Sequence, residues 1–167
     1  MMKVELRALE PEDIHLLYQM ENDRKLWHVS QTIVPFSKTT LTQYIENASK
    51  SSLKEAGQYR FIIHQNQDAI GCIDLYDYDP IHSRAGVGIT ILETERGKGY
   101  AKSALDTLIT YTKETLFLNQ LWAHIPEKNK QSIQLFEGVR FQRSGTLQQW
   151  LKVPGDYENV FIYQRLL

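Results

Sequence analysis

The sequence predicts a mixed α/β (α+β) domain: one mixed sheet, antiparallel through its middle, with helices packed against it. Three observations carry this. Segments of alternating apolar residues follow one another between Tyr59 and Ile91, as antiparallel strands joined by short turns do. A helical repeat of Ala101, Ala104, Leu105, Leu108 and Thr112 then stands between two strand patterns, which is a strand–helix–strand unit. Finally, 167 residues with 42% hydrophobic content suffice for one core, and no linker, repeat or low-complexity tract divides the chain, so 1–167 reads as a single domain.

Taken in order, Val4, Leu6 and Ala8 alternate as a first strand, and Pro11 opens a helix carrying Ile14, Leu17 and Tyr18 on one side. A second helix is marked by Leu41, Tyr44 and Ile45, and the next strand by Tyr59, Phe61 and Ile63. Asn66-Gln67-Asp68 turns into the strand Ala69–Tyr76, and the Asp79-Pro80 loop returns into Ala85–Ile91. After the long helix, Gln120–Ile125 is a strand and Lys128–Glu137 a short helix. Phe141–Gln148 and Val160–Leu166 form the final strand pair.

A net charge of −1 lacks the basic excess with which proteins hold nucleic acid or a membrane surface, so neither is expected as a partner. The chain reads from Met1-Met2-Lys3-Val4 straight into strand positions, without an apolar leader or a run long enough to span a bilayer; a cytoplasmic protein is expected. Cys72 is the only cysteine and lies in the apolar run Ala69–Leu75. It has no partner for a disulfide and no company for a zinc site, so it reads as a small core residue and no metal is expected.

The most informative stretch is Arg96-Gly97-Lys98-Gly99-Tyr100-Ala101, at the junction of the Val87/Ile89/Ile91 strand and the long helix. Glycines there let a turn gather backbone N–H groups at the positive end of a helix, which suits a phosphate, and Arg96 and Lys98 add charge. The same pattern also fits an ordinary Gly-rich turn with solvated basic residues. A nucleotide P-loop is excluded, because Leu92 and Gly99 stand where it needs glycine and Ser or Thr. A dinucleotide fingerprint starting at Gly97 meets Lys102 where its last glycine belongs.

Arg96, Gly99 and Ala101 match Arg/Gln-x-x-Gly-x-Gly/Ala, and the segment resembles the acyl-CoA signature of the GNAT superfamily of N-acetyltransferases. Asn129 to Phe136, ending at Phe141, is similar to the later Asn-x-x-Ala/Ser-x-x-x-Tyr helix of that superfamily. Asn22-Asp23 with Trp27, and Gly155-Asp156-Tyr157 with Val160, resemble its ribosomal-protein and spermidine acetyltransferase branches. The resemblance implies a largely antiparallel seven-stranded sheet and acetyl-CoA as cosubstrate. It further implies that Ile89, Thr90 and Ile91 pair with the pantetheine arm where the fourth and fifth strands part. Arg96, Gly97, Lys98, Gly99, Tyr100, Ala101 and Lys102 would then hold the pyrophosphate end, with Asn129, Ser132 and Phe136 facing the cofactor. Asn129 also fits a helix cap.

Three departures stand out. Phe136 replaces the tyrosine that in many members protonates the thiolate, Gly86 stands where the branch tends to place a carboxylate, and Arg140-Phe141 replaces a Gly-Phe pair. Direct attack aided by proximity is the expected mechanism; an acyl-CoA-binding sensor that has lost catalysis is the alternative. Asp74 is the first substitute base, ahead of His82 and Tyr78. The acidic–aromatic run Tyr76-Asp77-Tyr78-Asp79, with Trp27 opposite, points to a small cationic amine or a protein N-terminus as acceptor. The resemblance also allows a homodimer.

Overall fold

A computed structural model describes residues 3–30 and 32–167. Its seven strands are β1 (Glu5–Arg7), β2 (Tyr59–Gln65), β3 (Asp68–Asp79), β4 (Arg84–Ile91), β5 (Gln120–Pro126), β6 (Gln142–Val153) and β7 (Asp156–Leu166). The helices are α1 (Ile14–Glu21), α2 (Trp27–Ser30), α3 (Lys38–Lys50), α4 (Leu53–Ala56), α5 (Tyr100–Glu114) and α6 (Lys130–Gly138). All strands join one sheet in the order β1-β2-β3-β4-β5-β7-β6, antiparallel except between β4 and β5. The mixed, seven-stranded architecture is the one expected from the sequence. No helix among the described residues is long and apolar enough to cross a membrane.

Strand alternation divides the core into two layers. Odd positions such as Ile73, Leu75, Ala85, Val87, Leu121 and Ala123 face α5 and α6. Even positions of β2 and β3, Ile62 and Cys72, face α1 and α3 with Leu17, Leu41 and Ile45. Cys72 is buried there, and burial pushes its thiol up, away from the reactive thiolate.

The helix entries follow their capping chemistry. Ser37 accepts the Thr40 N–H at 3.0 Å to start α3. Ser52 and Glu55 form a reciprocal capping box on α4, which ends on Gly57 in the left-handed conformation. Pro11 opens a 3₁₀ turn, Pro11–Asp13, before α1 begins. The link between α1 and α3 is held by the Asn22 side chain, which bonds both the N–H (2.8 Å) and the carbonyl (3.0 Å) of Phe36.

Two expectations need correction. α2 and α4 are four residues each, too short for a periodic signal, and the sequence reading has no element there. The last strand pair is a far longer hairpin than Phe141–Gln148 with Val160–Leu166. β6 runs on to Val153, and β7 starts at Asp156 across the Gly155 turn. The added part is largely exposed, so no apolar alternation marks it, and Gln149 at φ 50° sits where the register shifts between Leu147 and Leu151.

Candidate active site

β4 and β5 are paired only from Arg84↔Gln120 to Gly86↔Trp122 and then part. The opening leads into a cleft of about 750 Å³. On the β4 side it is lined by Ile89, Thr90 and Ile91. The Leu92 N–H bonds Ile70 in β3, so by alternation the backbone groups of Ile89 and Ile91 face the opening. Arg96 Nε donates to the Ile91 carbonyl at 3.0 Å and closes the turn against the strand.

At the far end lies the Gly-rich turn. Gly97 (φ 77°) and Gly99 (φ 84°) both adopt the left-handed conformation, which explains glycine at each. α5 starts at Gly99 without a side-chain cap, leaving its first N–H groups for a ligand. Gly97, Gly99, Ala101 and Lys102 line the cleft here, with Tyr100 buried beneath. Asn129 and Ser132 line the opposite wall, and the Asn129 side chain caps α6 by accepting the Ser132 N–H at 3.1 Å. Leu26, Glu95, Pro126, Lys128, Gln131, Gln134, Leu135 and Glu158 complete the lining and lie outside the sequence expectation. Glu158 is 6% exposed and accepts the Lys128 N–H at 2.7 Å.

Two expected contacts lie elsewhere. Lys98 points to the surface and pairs with Glu95 at 3.0 Å. Phe136 is 3% exposed, on the core side of α6, with its ring edge-on to Phe141 at 5.0 Å between centroids.

A second cavity of about 480 Å³ lies under α3, lined by Tyr44 and Asn47 from that helix, Arg60 from β2, and Asp74 and Tyr76 from β3. Asp74, expected as the base, has both oxygens engaged at 2.8 Å by Arg60 Nε and NH2, while Arg60 NH1 reaches Glu21 at 2.5 Å. Both oxygens of this carboxylate are thus committed to a bidentate, charge-assisted pair with an always-charged guanidinium. Arg60 also lies 5.7 Å from the Tyr44 ring, and its own pKa, against the desolvation of burial, is raised by Asp74.

Tyr76 lines the second cavity and not the cleft. Its ring lies over Gly86, where a Cβ would come within 2.4–2.8 Å of three ring atoms. The absent carboxylate at Gly86 thus has a steric reason: the ring occupies its place. The same ring meets Trp122 edge-on at 5.0 Å, and Trp122 meets His124 at 4.8 Å. Desolvation pushes the Tyr76 phenol up to about 12, partly offset by the nearby His124 backbone N–H.

The rest of the acidic–aromatic run is dispersed. Asp77 (φ 47°) forms a bulge between the Tyr76 and Asp79 pairings, and Tyr78 packs on the α5 side of the sheet. Asp79 accepts the Ile81 and His82 N–H groups and pairs with Arg84 at 3.2 Å, so this carboxylate and His82 build the turn. Trp27 lines neither cavity; its Nε1–H donates to the Glu21 carbonyl at 3.0 Å.

The fold that carries this cleft has counterparts among known proteins. Residues 3–142 match the model of the acetyltransferase (GNAT) domain. The chain belongs to the GNAT acetyltransferase family. A GNAT acetyltransferase is an acyltransferase, as its relatives' names state. The chain is 28% identical over 166 residues to the uncharacterized N-acetyltransferase p20 of Bacillus licheniformis, covering 98% of this chain and 93% of that one. It is 24% identical over 158 residues to the spermidine N(1)-acetyltransferase of Vibrio cholerae, covering 93% and 88%. The crystal structure of spermidine N-acetyltransferase from Vibrio cholerae in complex with CoA and spermine shares the fold, with TM-score 0.88 over 98% of this chain and 95% of that one, at 24% identity.

Proposed function

We propose that this GNAT domain moves the acetyl group of acetyl-CoA to a primary amine of a small cationic acceptor or of a protein or peptide N-terminus, by direct attack of the amine. The observation that carries the reading is the continuity of the cleft: one opening runs from the cleft-facing backbone of Ile89 and Ile91 to the uncapped start of α5 at Gly99. The thioester arm would lie along Ile89 and Ile91, where the Ile89 N–H would stabilise negative charge on the carbonyl oxygen. The pyrophosphate would meet Gly97, Gly99 and the first turn of α5, with Arg96 and Lys102 beside it.

A cationic acceptor is supported by the second cavity, lined by Arg60 and Asp74, because Arg60 also pairs with Glu21 behind the lining and two carboxylates there meet one guanidinium. It is supported too by relatives named for spermidine. A spermidine N-acetyltransferase from Vibrio cholerae has been solved as a dodecamer, and self-association of this chain is the corresponding expectation.

The test is a panel of spermidine, an aminoglycoside and a peptide with a free N-terminus, each assayed with acetyl-CoA. Turnover of spermidine well above the peptide is the expected result. Preference for a neutral or acidic peptide would remove the cationic acceptor. CoA binding with no turnover of any amine would leave an acyl-CoA sensor.

A further inference from the structure

The transfer needs a group to take the proton of the acceptor ammonium, because only the neutral amine attacks. The positions first in line do not supply it: Gly86 has no side chain, Asp74 is gripped by Arg60, and Glu158 is tied to Lys128. Across the opening from β4 stands a histidine that the sequence reading passed over. The last bridge between β4 and β5 is Gly86↔Trp122, so His124 is the next residue on the same face of β5, just past the parting; it lines neither cavity itself and stands two residues before Pro126 of the cleft wall.

We propose that His124 is the general base that accepts the acceptor's ammonium proton, an assignment that rests on the acetyl-transfer reading above. The imidazole is exposed on the Tyr76 side of the sheet and held by the Tyr76–Trp122–His124 stack. Neither ring nitrogen is hydrogen-bonded among the described residues, so both are free to face a substrate. The surroundings favour the neutral ring. Partial desolvation by its neighbours lowers its pKa below the ordinary 6.5, and Asp77 of β3 pulls the other way. The other groups around it carry no charge at neutral pH: the Tyr76 phenol, glycines on β4, and Ile162 opposite on β7. A neutral imidazole at pH 7 can take a proton; an imidazolium cannot.

The ammonium N–H breaks and an imidazole N–H forms; the freed lone pair makes the C–N bond while the C–S electron pair leaves on sulfur. The second proton lost from nitrogen ends on that sulfur through solvent, and His124 returns its own to solvent.

The test combines rates with a titration. His124→Gln should lower kcat/KM for spermidine, or for the peptide if that is the better acceptor, about 100-fold or more at pH 7. The acetyl-CoA thermal shift should remain. The loss should shrink as pH rises toward the amine's own pKa, where free amine no longer needs a base. Independently, NMR of the ¹³C-labelled histidine ring should show His124 titrating below 6.5, and lower still in Asp77→Asn, since removing a negative neighbour disfavours the imidazolium. A His124→Gln rate within about threefold of wild type, a loss of equal size at every pH, or an imidazole titrating above 7 would overturn the assignment. So would Glu158→Gln reproducing the pH signature when His124→Gln does not. A wild-type chain that acetylates no amine would sink the acetyl-transfer reading first, and this base with it.

Discussion

The cleft beyond the β4/β5 parting and the cavity under α3 share no lining residue, and they are built by different means. The cleft is made largely of backbone from two short stretches, 89–102 and 126–135, where φ at Gly97 and Gly99 and the start of α5 set the geometry. The cavity is made of side chains from separate parts of the chain: Tyr44, Arg60, Asp74 and Tyr76 line it, Arg60 pairing with Asp74, facing the Tyr44 ring and reaching Glu21 outside the lining. A site made of local backbone writes itself into adjacent residues, because glycine and a helix start are local requirements. A site made of distant side chains depends on register, which adjacent residues do not carry.

The largest expected effect tests the backbone-built half. At Gly99 a Cβ would meet nothing within 4 Å, but φ 84° strains any β-branched residue by about 1–2 kcal/mol. Gly99→Val should fold, at that reduced stability, and lose the shift CoA gives the parent. That shift is about 2.7 kcal/mol at a hundredfold excess over Kd. Thermal melts with CoA, NAD and ATP check it. An unchanged CoA shift in a folded Gly99→Val would mean that the turn is not the phosphate site.

The side-chain half answers to coupling. Gly86→Ala should cost about 1–3 kcal/mol, because the new methyl group displaces the Tyr76 ring. In a Tyr76→Leu background the same change should be near neutral or stabilising by about 0.4–1 kcal/mol, since loss of glycine then acts mainly on the unfolded chain. Urea melts of the four proteins give the cycle. Equal cost in both backgrounds would show that the ring does not fill the place of a β4 side chain.

The same distinction explains what the sequence made readable. The fold class, the strand–helix–strand unit and the Gly-rich turn all rest on local pattern, and each is where the pattern placed it. Residue type alone favours Asp74 as base, but residue type does not carry the register Arg60↔Asp74 that sets the guanidinium directly across from it on β2. Phe136 was assigned to the cofactor by its place in a motif, while its side of α6 faces Phe141 in the core. His124 was missed although a signal existed: Leu121, Ala123 and Ile125 are the buried set of β5, so Trp122 and His124 had to face the other way. What no local pattern could supply was the parting of β4 from β5 just beyond Trp122.

The smallest effect concerns a backbone requirement outside both cavities. Arg140, where the related pattern has glycine, ends α6 at φ 67°, with its N–H on the Glu137 carbonyl and the Phe141 N–H on Phe136. This is a left-handed helix end, and a residue with a Cβ is disfavoured there relative to glycine. The arginine side chain is exposed, so its removal leaves no buried gap. Arg140→Gly should therefore stabilise the fold by up to about 1 kcal/mol in urea melts, glycine's greater freedom in the unfolded chain offsetting part of the relief. Acetyl-CoA affinity and kcat should stay as they are, because the change acts on a helix end and not on a ligand. A destabilised Arg140→Gly would mean that the arginine makes a contact which outweighs the strain, and that sequence departures at backbone-controlled positions cannot be read from φ alone.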